Sequence, residues 1–99
     1  MNVRWTEAAL GDLRAVEAYI GRHSPRYARG MVERIFAGTE LLSAQPRLGP
    51  MVPEYEEETL RELFENPYRI VYRITEVQID VVAVVHAARR FPKGLGADV

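Results

Sequence analysis

Six side chains in the second half of this sequence could do chemistry together: Arg61, Arg69, Arg73, His86, Arg89 and Arg90. A guanidinium stays charged at any working pH, and its planar fork donates paired hydrogen bonds to a phosphate or a carboxylate. An imidazole moves a proton near neutral pH. Gathered at one point, these groups could stabilise the phosphorane of a metal-free RNA cleavage and protonate the leaving oxygen. They could equally form a cationic docking face with no catalysis. A plainer reading stays open beside both. In it Arg61 pairs with Glu65 or with the run Glu56-Glu57-Glu58, and His86 hydrogen-bonds a backbone carbonyl.

Other chemistries find little support. With no cysteine and two histidines, His23 in a turn and His86 at a strand end, the chain has no metal-ligand spacing, and neither metal nor cofactor is expected. No glycine cluster follows a strand to open a helix, so a nucleotide-phosphate loop is absent. Serine and threonine fall at caps and turns, and the glutamate run reads as a solvated loop rather than paired catalytic carboxylates. The 99 residues, 47% hydrophobic and 27% charged, suit one globular domain over 1–99. The N-terminus lacks the apolar core of a signal peptide, and no apolar run approaches a membrane span, so a cytoplasmic protein is expected. The net charge of −1 is uneven: residues 54–65 carry six Glu against one Arg, and the flanking segments are each mildly basic. A protein that tracks a nucleic-acid backbone is normally basic throughout, so any anion site here must be local.

The elements that would position these groups follow from periodicity. Asn2 to Trp5 suits a short strand. Thr6 is an N-cap for a helix to about Arg22, with Ala9, Leu10, Leu13, Val16 and Ile20 on one stripe. Ser24-Pro25 starts a second helix to about Ala44, with Ala28, Met31, Val32, Ile35, Thr39 and Leu42 aligned. The short connection makes the pair an antiparallel hairpin. Residues 45–53 (QPRLGPMVP) can be neither helix nor central strand. Three strands follow: Thr59 to Glu65, Tyr68 to Ile74, and the almost wholly apolar Ile79 to His86, which should be central. Residues 90–99 are expected to be a flexible tail. The order β-α-α-β-β-β implies an α+β domain, a two-helix antiparallel hairpin packed on one face of a small, mainly antiparallel sheet. Tyr68, Ile70, Tyr72 and Ile74 would face the helices. Arg69 and Arg73 would then lie on an open face, joined across strands by Arg61 and, if the registers cooperate, by His86.

The stretches TEAALGDLRAVEAYI, QPRLGP, TLRELFENPYRIVYRI and IDVVAVVHAARRFP, in that order, resemble the RelE/ParE superfamily of toxins from type II toxin–antitoxin systems, over about Val3 to Pro92. The resemblance implies the same fold, a cognate antitoxin that wraps and silences the toxin, and contact with operator DNA only through that antitoxin. One branch of the family cuts mRNA on the ribosome with basic residues and a histidine or tyrosine, to which Arg61, Arg69 and His86 correspond by position. The ParE-like branch, associated with plasmid stabilisation, poisons DNA gyrase without known enzymatic chemistry. The chain's only lysine is Lys93, and its mild acidity also departs from the nuclease pattern. The long second helix and the HAARRFP ending are more ParE-like, so the resemblance favours a bacterial gyrase inhibitor that is not an enzyme. In that reading Arg61, Arg69, Arg73, His86, Arg89 and Arg90 are candidates for target or antitoxin contact. The antitoxin could use the hairpin groove, an exposed sheet edge or the cationic face. A degenerate member that retains only antitoxin binding is the further alternative.

Overall fold

The computed structural model describes residues 1–95. Strand β1 (Asn2–Trp5) leads into helices α1 (Glu7–Gly21) and α2 (Pro25–Glu40), a one-turn 3-10 helix (Leu41–Ser43), and strands β2 (Leu60–Glu65), β3 (Tyr68–Ile74) and β4 (Gln78–His86). Both helix starts follow from their caps. Thr6 Oγ1 accepts the Ala9 N–H at 3.1 Å, and Ser24 Oγ accepts the Tyr27 N–H at 3.0 Å ahead of Pro25.

The sheet order is β1-β4-β3-β2, with β1 parallel to β4 and the other pairs antiparallel. The apolar β4 is therefore internal, as its composition demands. One sheet face meets the helix stripes: Ala9, Leu13, Val16, Met31, Ile35 and Leu42 pack on Tyr68, Ile70, Tyr72, Ile79, Val81 and Val84. Trp5 ties β1 to α2, its ring 4.9 Å from that of Phe36 and its Nε1–H donated to the buried Thr39 hydroxyl at 3.4 Å. No helix among the described residues is long and apolar enough to cross a membrane.

Two features depart from the sequence-based expectation, and both bear on the site. The second sheet face is not open. Val52 from the loop before β2 and the chain after β4 cover it, forming a second apolar cluster with Leu60, Val71 and Ala83, against which Tyr55, Phe91 and Leu95 pack. Of the segment expected to be a flexible tail, residues 90–95 are irregular but hold to this face: Tyr55 Oη donates to Pro92 O at 3.0 Å and accepts the Leu95 N–H at 3.1 Å. Residues 96–99 lie outside the described residues. The second departure is a bulge in β4. Val71 pairs with Ala83 and Tyr72 with Val81, so Val82 has no partner on β3. A bulge of one residue reverses which face every later side chain takes.

Candidate functional site

Strand alternation puts Arg69 and Arg73 of β3 on the covered second face, with Leu60, Glu62 and Phe64 of β2 beside them. Arg69 is only 8% exposed. Its Nε donates to Glu62 Oε1 at 2.6 Å, and Nη1 and Nη2 donate to the two oxygens of Glu54 at 2.9 and 2.8 Å. The Phe91 ring lies over the guanidinium with its centroid 4.3 Å from Cζ. One cation thus faces two carboxylates, one of them, Glu62, 2% exposed. The hydrogen bonds to Glu54 lead in raising the Arg69 pKa further, against the opposing pull of burial, and the same contact holds the Glu54 carboxyl below its usual value. Arg73 is half-buried and donates from Nη2 to the Leu95 carbonyl.

Arg61 is not on this face. It stands opposite Tyr72 in the β2–β3 register, on the helix-facing side. There it donates from Nε to Glu58 O at 2.8 Å and from Nη1 to Gly49 O at 2.9 Å, with Glu58 Oε1 3.9 Å from Nη2. These contacts hold the PRLG loop down on the sheet. Tyr72 completes the anchorage, its hydroxyl donating to Pro46 O at 2.8 Å and accepting the Gly49 N–H at 3.0 Å, and burial pushes its phenol up. The loop needs glycine at 49 because a Cβ there would stand 2.1 Å from Glu62 O. PRLG is a structural motif in this chain.

The β4 bulge sends His86 to the helix-facing side as well. It pairs with Tyr68, ring centroids 5.4 Å apart and nearly perpendicular. Its Nδ1 accepts the Ala88 N–H at 3.0 Å, which leaves the imidazole proton on Nε2. Arg89 and Arg90 follow, exposed, in the turn after β4.

The six predicted residues therefore occupy three places. Arg69 and Arg73 lie under the C-terminal segment, Arg61 lies under the PRLG loop, and His86 stands with Arg89 and Arg90 at the end of β4. The last trio borders a groove of about 940 Å³ between α1 and β4 whose other lining residues include Asp12, Tyr19 and Arg22. Sequence reading missed those three because α1 was read only for its apolar stripe. It also missed Glu54, Glu62 and Phe91 as the partners of Arg69. Glu62 did carry a signal: it sits at the right parity for Arg69 on a facing strand, so an arginine–glutamate ladder was available to the pattern. Among the described residues, no group of three His, Cys, Asp or Glu side chains could hold a metal ion.

Comparison with known proteins agrees with the fold and with the resemblance noted above. Residues 3–91 match the family described as the ParE toxin of the type II toxin–antitoxin system parDE. The chain is 38% identical over 89 residues to Toxin RelE2 of Caulobacter vibrioides, covering 89% of this chain and 97% of that protein. It is 32% identical over 96 residues to the putative toxin Y4kP of Sinorhizobium fredii, covering 95% and 96%. Among solved structures, a chain of the chromosomal ParDE system of P. aeruginosa superposes with a TM-score of 0.71 at 25% identity, covering 87% of this chain and 95% of that one. A chain of the toxin–antitoxin complex RelBE2 of Mycobacterium tuberculosis superposes with a TM-score of 0.54 at 27% identity, covering 86% and 95%.

Proposed function

This chain belongs to the ParE toxin family, within the RelE/ParE superfamily of type II toxins, and from that premise we propose that it acts by binding, inhibits DNA gyrase, and is silenced by a cognate antitoxin. The observation that carries the binding reading is the dispersal of Arg61, Arg69 and His86, the three groups a nuclease mechanism would need at one phosphate. A general acid and a phosphate clamp must reach the same atoms within about 3 Å. Here Arg69 and His86 take opposite faces of the sheet. Arg69 is moreover already matched by two carboxylates. A phosphate entering there would have to displace Glu54 and sit beside the buried carboxylate of Glu62, a like charge that opposes it. The exposed cations Arg89 and Arg90 are left as the candidates for contact with a macromolecule. Gyrase as target rests on the family resemblance, as does operator contact only through the antitoxin.

A supercoiling assay with purified toxin and gyrase tests this. The expected result is concentration-dependent inhibition that is relieved by stoichiometric antitoxin; full supercoiling at a large excess of folded toxin rejects it. The similarity to Toxin RelE2 supports a second reading, a metal-free endonuclease acting on mRNA in the ribosome. That reading requires cleavage on translating ribosomes that His86→Ala abolishes while the fold survives.

A further inference from the structure

We propose that the turn of the helix hairpin, together with the Arg89-Arg90 corner after β4, is a docking surface for the phosphate backbone of duplex DNA, bound without regard to sequence. The choice of a DNA duplex rests on the gyrase reading above, because that target works on one; the surface itself is read from the charges. The chain holds twelve arginines. Arg4, Arg34, Arg47, Arg61 and Arg69 each pair with a carboxylate, and Arg73 donates to the Leu95 carbonyl. The other six, Arg14, Arg22, Arg26, Arg29, Arg89 and Arg90, are exposed, and none stands in an ion pair among the described residues.

The fold brings these unpaired cations together. Arg22, Arg89 and Arg90 line one groove between α1 and β4. Arg14 precedes Arg22 by two i,i+4 steps along α1, about 12 Å. Arg26 and Arg29 lie in the first turns of α2, just past the tight connection in which the His23 and Ser24 N–H groups both donate to Ile20 O. Tyr68, 6% exposed, lines the same groove, and its hydroxyl has no hydrogen-bond partner among the described residues. Burial raises its pKa and the Arg89 charge pulls the other way, which puts that guanidinium near the phenol.

The net charge of −1 does not weigh against this. In the acid-rich stretch 54–65, four of the six glutamates are taken by Arg34, Arg47, Arg61 and Arg69. Charges more than about 8 Å apart are screened at physiological salt, so the local balance decides a contact. What the patch lacks narrows the occupant. A protein interface has an apolar core. Of the exposed large apolar side chains, Tyr19 and Tyr27 alone belong to the hairpin turn, and each carries an arginine over its ring, Arg22 at 5.8 Å and Arg34 at 5.7 Å. A phosphate backbone asks only for donors, which guanidinium forks and tyrosine hydroxyls supply. Phosphate contacts carry no sequence information, so this contact is separate from operator recognition.

The test adds the full-length toxin, without antitoxin or gyrase, to a labelled DNA duplex of arbitrary sequence and follows fluorescence anisotropy. The expected result is micromolar binding at low salt, with a log–log salt slope of about −5 for five or six phosphate contacts. Arg26→Ala with Arg29→Ala, and separately Arg89→Ala with Arg90→Ala, should each weaken binding and make the slope shallower by about 2. Arg4→Ala with Arg47→Ala removes the same two charges from exposed arginines paired with Asp80 and Glu58, and should leave affinity and slope unchanged. No binding by the parent at low salt, or an equal loss in the Arg4 and Arg47 pair, overturns the surface. Tighter binding to an RNA duplex of the same sequence overturns the assignment to DNA. Binding to gyrase that is lost in the hairpin pair while no duplex is bound gives the surface to an acidic protein and overturns it as well. Supercoiling inhibition by a toxin that binds no duplex overturns this surface and leaves the gyrase reading intact, whereas duplex binding by a toxin that never inhibits gyrase supports the surface and rejects that reading.

Discussion

Replacing Arg69 by alanine should unfold much of this protein rather than disarm a site. The substitution leaves Glu62, 2% exposed, as a buried carboxylate without its counter-charge. Removing one partner of a buried ion pair costs about 3–5 kcal/mol, because the remaining charge cannot rehydrate. Glu54 adds little, since its side chain is 41% exposed and turns to water once freed. Loss of the Phe91 stack adds about 1 kcal/mol. For a domain of this size each kcal/mol lowers Tm by about 4–8 °C, so the drop should be at least about 12 °C. Thermal and urea melts of Arg69→Ala, Glu54→Ala and the pair Arg69→Met with Glu62→Leu separate the terms. Glu54→Ala should cost about 1 kcal/mol or less. The double variant removes both buried charges and should recover most of the loss, since a buried pair is often replaceable by apolar side chains. Stability of Arg69→Ala within about 1 kcal/mol of the parent would refute the reasoning, because Glu62 would then have found water or another partner. A loss of toxicity in Arg69→Ala therefore means nothing without a melt beside it.

Three further outcomes follow from named contacts. Tyr72→Phe strands the Gly49 N–H and the Pro46 carbonyl and should cost about 1–3 kcal/mol in a urea melt. Gly49→Ala forces a Cβ to 2.1 Å from Glu62 O, a backbone atom that cannot yield, and should cost more than about 2 kcal/mol or prevent folding, read by circular dichroism. Hydrogen bonds from Arg69 lower the Glu54 pKa below 4.5 in the folded state. The stability this contributes is complete above about pH 4.5 and is lost as pH falls through the folded value. Urea midpoints of the parent should accordingly fall more steeply below about pH 4.5 than those of Glu54→Gln.

The helices and strands were legible because their signals are local. Thr6 and Ser24-Pro25 mark helix starts whatever else happens, and the stripes of α1 and α2 are read from spacing alone. The row Tyr68, Ile70 and Tyr72 was legible for the same reason, as the apolar half of an alternating strand. What stayed hidden depends on contacts distant in sequence. Nothing in EYEEE says that Glu54, rather than Glu56 or Glu58, takes both terminal nitrogens of Arg69. Nor does HAARRFP reveal that Phe91 returns across the sheet to cover that guanidinium. The reading of Arg69 and Arg73 as an open cationic row assumed that a sheet with helices on one side leaves the other bare. Val52, Tyr55 and Leu95 cover it instead.

The separation of His86 from Arg69 turns on a single residue. Counting by twos from Ile79, which packs toward the helices with Val81, an unbroken β4 would put Val82, Val84 and His86 on the second face. His86 would then share the face of Arg69, and the pair would look like an acid beside a clamp. The bulge at Val82 inverts that count, so Val84 joins the helix-facing core and His86 stacks on Tyr68. Between Asp80 and His86 the strand is uniformly apolar, so neither parity exposes a charged group there and hydrophobic patterning does not reveal the bulge. The sheet's own edge explains its position. β1 ends opposite Val81, and the extra residue comes immediately after, where β4 no longer has to match two neighbours. The same residue that separates His86 from Arg69 turns the Val84 N–H outward to Asp12. The separation of His86 from Arg69 and the outward turn of the Val84 N–H have one structural cause.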